Sequence, residues 1–175
     1  MNFDIPEEMQ AYLEELDQFI EKEIKPLENS DDNIRFFDHR REDARTDWER
    51  GGLPNEEWEQ LLQAAKRLAD AAGHYRYPFP KEYGGQEGTN LGMAIIREHL
   101  AVKGLGLHND LQNEHSIVGN NVGLLLMINY GTESQKAEWI DDLEGVEVID
   151  GGEPLESEFL YWVGCAGSFD DKNKK

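Results

Sequence analysis

The chain has a single cysteine, Cys165, in 175 residues. An intrachain disulfide is therefore impossible, and a cysteine-based zinc site is not expected. Basic residues are also scarce. Seventeen Lys and Arg face 37 Asp and Glu, for a formal charge of −20. Phosphate recognition needs cations gathered on one face, so this balance argues against a nucleic-acid binder. It argues equally against attraction to an anionic membrane surface. Long apolar runs are missing too. The longest, "LLLMI" from Leu124 to Ile128, is far short of the roughly 20 residues of a membrane-spanning helix. The opening "MNFDIPEEMQ" has neither the basic start nor the apolar centre of a secretory signal. The expectation is a soluble, cytoplasmic protein of a reducing compartment. No internal repeat of fixed period is visible.

What remains is a helical pattern. Hydrophobic residues make up 38% of the chain, enough for one domain with a real core, or a domain plus a tail. Residues 4–28 read as a helix, because Met9, Tyr12, Leu13, Leu16, Phe19, Ile20, Ile24 and Leu27 recur three and four apart. Asp4 and Glu7 form a capping signal, and Pro26 predicts an irregular last turn. Residues 29–52 are dense in both charge signs and read as a long exposed connection with room for a short helical turn. A second helix is predicted from Pro54, suited to a first helical position, to Ala72, with Trp58, Leu61, Leu62, Ala65, Leu68, Ala69 and Ala72 as its stripe and Gly73 as its stop. A third starts at Asn90 as N-cap, carries Leu91, Ala94, Ile95 and Leu100, and ends by Gly104. A fourth spans about 116–130 and is apolar on nearly every side, which predicts burial on more than one face. Thr132 and Gln135 then form a capping box for a short helix ending near Leu143.

After Leu143 the helical stripe disappears. Val146 and Val148 alternate with acids, as in a short edge strand. Phe159–Val163 is an apolar patch with no cover in its own segment, and the charged last residues read as disordered. The expected fold is all-α, an orthogonal helical bundle of four main helices plus a short fifth over residues 1–143. An irregular, divergent tail follows over residues 144–175.

Two glycine stretches invite a chemical reading. "EYGGQEGTN" places Gly84 and Gly85 ahead of a helix, as a phosphate-binding loop would. It lacks the Lys-Ser/Thr of a P-loop, and no strand precedes it. "GLGLHND" holds only the first two glycines of a dinucleotide fingerprint. Structural turns need the same glycines, and that reading is preferred for both. His108, Asp110, Glu114 and His115 could form a metal cluster, with Asp110 and Glu114 at i, i+4 spacing, but the helical HExxH pattern is absent. Ser116 beside His115 cannot make a catalytic triad by adjacency, and no G-x-S-x-G elbow exists. His99 reads as a boundary histidine with a satisfied hydrogen bond. Asn120 and Asn121, inside an apolar helix, must meet a partner helix or domain to satisfy their amides. No catalytic residue and no metal ligand is assigned, and cofactor-binding residues stay unassigned.

The order of these pieces carries a resemblance. "FIEKEIKPLE", "LPNEEWEQLLQAAKRLADAAG", "PFPKEYGG", "NLGMAIIREHLA" and "YGTESQKAEWIDDL" together resemble the N-terminal helical domain of acyl-CoA dehydrogenases. "GLGLHNDLQNEHSIVGNN" looks closest to the bacterial fatty-acid-degradation branch. The resemblance covers residues 1 to about 143. It implies a flavoenzyme of fatty acid metabolism with a helical N-domain, a middle β domain and a C-terminal four-helix bundle. Such an enzyme binds FAD and dehydrogenates an acyl-CoA thioester between its α and β carbons. A glutamate takes the α-proton and the flavin takes the β-hydride. The N-domain helps to wall the acyl-chain pocket. The T-E-P-x-x-G-S-D motif that opens the family's flavin domain is not found after the short helix, where only Glu153-Pro154 stands. The resemblance therefore implies an isolated chain that is inactive, as a truncated or split enzyme. The alternative is a non-catalytic helical module that docks on a separately encoded flavin domain. The partners implied are acyl-CoA, the flavin β domain and the C-terminal helical domain in cis or in trans, and a possible second copy.

Overall fold

The computed structural model describes residues 4–38, 40, 42–110, 116–119 and 122–139. Among these the fold is mostly helical, with four main helices, shorter helical pieces and one two-residue hairpin. Glu114, His115, Asn120, Asn121 and the tail, with its predicted edge strand and apolar patch, lie outside the described residues.

Helix α1 (Glu7–Phe19) passes through a π-helical turn, Ile20–Ile24, into α2 (Lys25–Asn29). Pro26 accounts for the widened turn. It has no N–H for the carbonyl four residues back, and its ring crowds that carbonyl. Five-residue hydrogen-bond loops just before it let the helix continue. The predicted stripe is buried at Leu13, Leu16, Ile20 and Ile24. Glu28 extends the same spacing by four residues and is buried as well. The expected N-cap, Asp4, lies two residues ahead of the position the structure gives. Pro6 holds the N-cap position, with no side-chain cap.

The connection to the next helix is less exposed than its composition suggests. It folds into two 3-10 turns, Asn33–Phe37 and Glu42–Arg45, and a hairpin of β1 (Thr46–Asp47) and β2 (Leu53–Pro54). Thr46 pairs with Pro54 and Asp47 with Leu53. Phe36 is buried and lies 5.2 Å from the Trp58 ring. The Arg45 guanidinium sits 4.3 Å over the same ring and donates from Nε to the Phe36 carbonyl at 2.6 Å. One aromatic and one cation thus tie a charged loop to the core.

Pro54 is spent in β2, so α3 (Glu56–Ala71) starts two residues later than expected. Asn55 caps it, its Oδ1 accepting from the Glu57 N–H at 2.9 Å. Trp58, Leu61, Leu62, Ala65 and Ala69 are buried, but Leu68 is not. Gly73, at φ +82°, ends the helix as predicted, donating to the Asp70 carbonyl at 2.9 Å. Helix α4 (Asn90–Val102) is capped by Thr89 rather than Asn90, with the Thr89 hydroxyl accepting from the Gly92 N–H at 3.0 Å. Its core face is Gly92, Ile96 and Leu100. Of the expected face, Leu100 is in the core and Ile95 packs against it, but Leu91 is turned out, 68% exposed. The cause is tertiary: the Tyr77 hydroxyl stands where a Cβ on Gly92 would be, so only the Gly92 face can approach closely.

Residues 116–119 are not helical, contrary to expectation. Ile117 and Val118 enter the core, and the Gly119 N–H donates to the Tyr75 carbonyl at 3.1 Å. Helix α5 (Val122–Tyr130) starts later, and α6 (Glu133–Trp139) follows. The predicted capping box is present. The Gln135 N–H donates to the Thr132 hydroxyl at 3.3 Å, and the Thr132 N–H donates to Gln135 Oε1 at 2.9 Å.

Candidate functional site

A phosphate cradle needs backbone N–H groups that point at the ligand. The corner at Gly84 and Gly85 spends them on itself. The N–H groups of Tyr83, Gly84, Gly85, Gln86, Glu87 and Gly88 donate to the carbonyls of Pro80, Lys81, Pro80, Tyr77, Phe79 and Tyr77, at 2.8–3.3 Å. A Cβ on Gly85 would fall on the Phe79 carbonyl, and one on Gly88 would enter the Tyr77 ring. Gly84 supplies the left-handed turn, at φ +74°. Arg76 braces the corner with paired hydrogen bonds to Asp70 at 2.7 and 2.8 Å. These glycines serve packing and turning, and a flavin pyrophosphate does not fit here.

The second corner follows α4. The Gly106 and Asn109 N–H groups donate to each other's carbonyls at 3.1 Å. The Leu107 N–H donates to Glu28 Oε2 at 2.6 Å. A buried carboxylate of α2 therefore holds the place an anionic ligand would need. A Cβ on Gly106 would lie 2.6 Å from Glu28 Oε2 and 2.8 Å from His108 Nδ1, so any larger residue there would have to displace one of those side chains. Lys25 balances Glu28 at 3.2 Å.

His108 is fully buried. Burial, then the charge of Lys25, lowers its pKa against the opposing pull of Glu28 and of the Gly104 and Leu100 carbonyls. Those carbonyls make no well-aligned bond, so neither ring nitrogen has a hydrogen-bond partner among the described residues. Asp110 pairs with Arg45, the cation already stacked on Trp58. Arg97 reaches Asn109 Oδ1 at 3.5 Å and the Val118 carbonyl at 3.1 Å. Among the described residues, no three His, Cys, Asp or Glu side chains are grouped to hold a metal. Ser116 is buried, and its hydroxyl accepts from the Val118 N–H at 3.3 Å. The described segments 104–110 and 116–119 are thus pinned from three elements, by Glu28, Arg45 and Arg97.

His99 has a hydrogen-bond partner, as expected, and it is Asp17. Its Nε2 lies 2.6 Å from Asp17 Oδ1, and Lys103 Nζ lies 2.9 Å from the same oxygen. Burial alone would raise the Asp17 carboxyl. The hydrogen bonds and charges of His99 and Lys103 outweigh it and hold that carboxyl below its usual range. At the other end of α1, the Tyr12 hydroxyl meets His74 Nδ1 at 3.2 Å. Burial, then Tyr77 and Glu15, raise the Tyr12 phenol, and burial lowers His74. The first clamp joins α4 to α1, and the second ties α1 to the segment that follows α3.

One surface stands apart. Helix α5 carries no charged residue, and none of its residues is buried among the described residues. Val122, Leu126 and Tyr130, spaced by four, are 50%, 54% and 83% exposed. This corrects the expectation of burial on more than one face. Sequence reasoning also missed Glu28, Arg45 and Arg97. Glu28 had a signal, a carboxylate continuing a buried stripe at i+4. The two arginines had none, since their partners are far away in the chain.

The fold and its corners define a helical domain whose glycines and buried charges serve architecture, with one apolar helix turned outward. Residues 6–145 match the family described as acyl-CoA dehydrogenase, N-terminal domain. The chain belongs to that family. No curated protein and no solved structure matches it. No described helix is long and apolar enough to cross a membrane.

Proposed function

We propose that this chain acts as the N-terminal helical domain of a cytoplasmic, FAD-dependent acyl-CoA dehydrogenase-type enzyme of the fatty-acid-degradation branch. In that role it docks on a flavin-binding β domain and a C-terminal helical domain, and it helps to wall the acyl-chain pocket. The exposed stripe of α5 carries the reading. An uncharged helix with Val122, Leu126 and Tyr130 outward leaves its apolar surface unburied unless another surface covers it. The chemistry belongs to the partner domains, because base and hydride acceptor must both stand at the substrate's α and β carbons. When bound, FAD would supply hydride acceptance. The N–H groups of the first glycine corner, Tyr83 to Gly88, are taken by its own carbonyls, and Glu28 occupies the second, so no step is routed through them. By this reading the isolated chain is inactive.

The test is reconstitution. The full chain is mixed with a fragment of a family enzyme that lacks its own N-terminal domain, and acyl-CoA dehydrogenation is followed with an artificial electron acceptor. Activity should rise on mixing and fall with Leu126→Asp. Dehydrogenation by the chain alone would overturn the reading. A second reading, a module serving a separately encoded flavin domain, rests on the same stripe and predicts that the mixed species stays dissociable on dilution.

A further inference from the structure

Helix α3 carries more apolar surface than the core uses. Its buried stripe ends with Ala65 and Ala69, while Leu68 stays 36% exposed. Ala71 and Ala72, at the end of the helix, are exposed too. Together with the half-buried Phe19 of α1 they line a groove of about 520 Å³. That size lies within the roughly 300–1,000 Å³ of ligand clefts. Small side chains along one wall let a second backbone come close. Glu15 and Glu23 stand on the α1 side, and Lys22 between them pairs with Glu23 at 3.3 Å.

We propose that this groove receives an amphipathic helix of a partner protein, with apolar side chains at i, i+3 and i+4 spacing and Lys or Arg beside them. Helix-in-groove recognition uses such anchors. Charge selects the partner. The rim sets two carboxylates against one ammonium, on a chain of net charge −20. A second copy would bring the same excess of negative charge, and an anionic membrane is repelled for the same reason. A basic helix is attracted. The inference does not depend on α5 or on flavin chemistry.

The test is fluorescence anisotropy of the full chain with three labelled synthetic helices. One has Leu at i, i+3, i+4 and i+7 with Lys elsewhere. The second carries Glu in place of Lys. The third scrambles the first, keeping its charge but losing its face. The Lys helix should bind, with the other two at least about tenfold weaker. Ala71→Trp fills the groove at constant charge and should weaken binding about tenfold. Ala72→Trp repeats the test at a second exposed position, with helicity checked by circular dichroism. Glu15→Gln with Glu23→Gln should cost several-fold, while Glu56→Gln with Glu59→Gln, outside the groove, should not. Equal binding of the scrambled helix, or wild-type binding by both Trp variants, overturns the proposal. So does a dimer that Ala71→Trp dissociates, which would give the groove to a second copy. Adsorption to anionic vesicles that Ala71→Trp abolishes would give it to a membrane, with the same effect on the proposal.

Discussion

Glu28 should fix the corner at Leu107 that follows α4, and two substitutions separate its roles. Only 4% of its surface is exposed. One carboxylate oxygen accepts from the Leu107 N–H at 2.6 Å, and the other accepts from Lys25 Nζ at 3.2 Å. Glu28→Ala removes both acceptors and leaves the Leu107 N–H buried without a partner. That loss is worth about 1–3 kcal/mol, with a small further cost for the space opened beside Gly106. Glu28→Gln keeps an acceptor for Leu107. It gives up the attraction of Lys25, and it also removes the desolvation penalty of a buried charge. Its net cost should be about 1 kcal/mol or less. Urea unfolding followed by circular dichroism measures both, and hydrogen exchange reads the Leu107 amide directly. Protection at Leu107 should fall in the Ala variant and persist in the Gln variant. Equal costs for the two, with unchanged Leu107 protection, would refute the assignment of Glu28 as the anchor.

Two further outcomes follow from the packing and the charges. Asp17 has a carboxyl pKa held below its ordinary 3.8 in the folded state, so its contribution is complete above that value and is lost as pH falls through the folded pKa. Asp17→Asn should lower stability near neutrality by no more than about 1 kcal/mol, since the pair is partly exposed. It should also flatten the acid limb of a Tm-against-pH curve, and an unchanged acid limb would contradict the clamp. Gly85→Ala should cost about 1–3 kcal/mol through its clash with the Phe79 carbonyl. Wild-type stability combined with a loss of FAD or ADP binding would reinstate a phosphate role for that corner.

Local periodicity made much of the fold legible. The stripe from Leu13 to Ile24, the stripe from Trp58 to Ala69, the stops at Gly73 and Gly104 and the Thr132–Gln135 box all arise within a few residues of chain. The errors came from contacts that are distant in sequence. The face of α4 is set by Tyr77 against Gly92, and a glycine carries no hydrophobic signal of its own. Pro54 suits a helix start and an edge strand alike, and pairing with Thr46 decided between them. Phe36 and Arg45 looked like members of a solvated charged loop until Trp58 and Asp110 gave them partners. An apolar helix such as α5 can mean burial in its own domain or readiness for another surface, and composition does not separate the two. The glycine corners were ambiguous for a similar reason: glycines are visible in a sequence, but the direction of their neighbours' N–H groups is not.

The central claim is that this chain supports acyl-CoA dehydrogenase chemistry without holding the flavin. The most direct measurement is the visible absorbance of the purified full chain, incubated with excess FAD and then freed of unbound ligand. The account predicts a colourless protein. Stoichiometric retained flavin would contradict it.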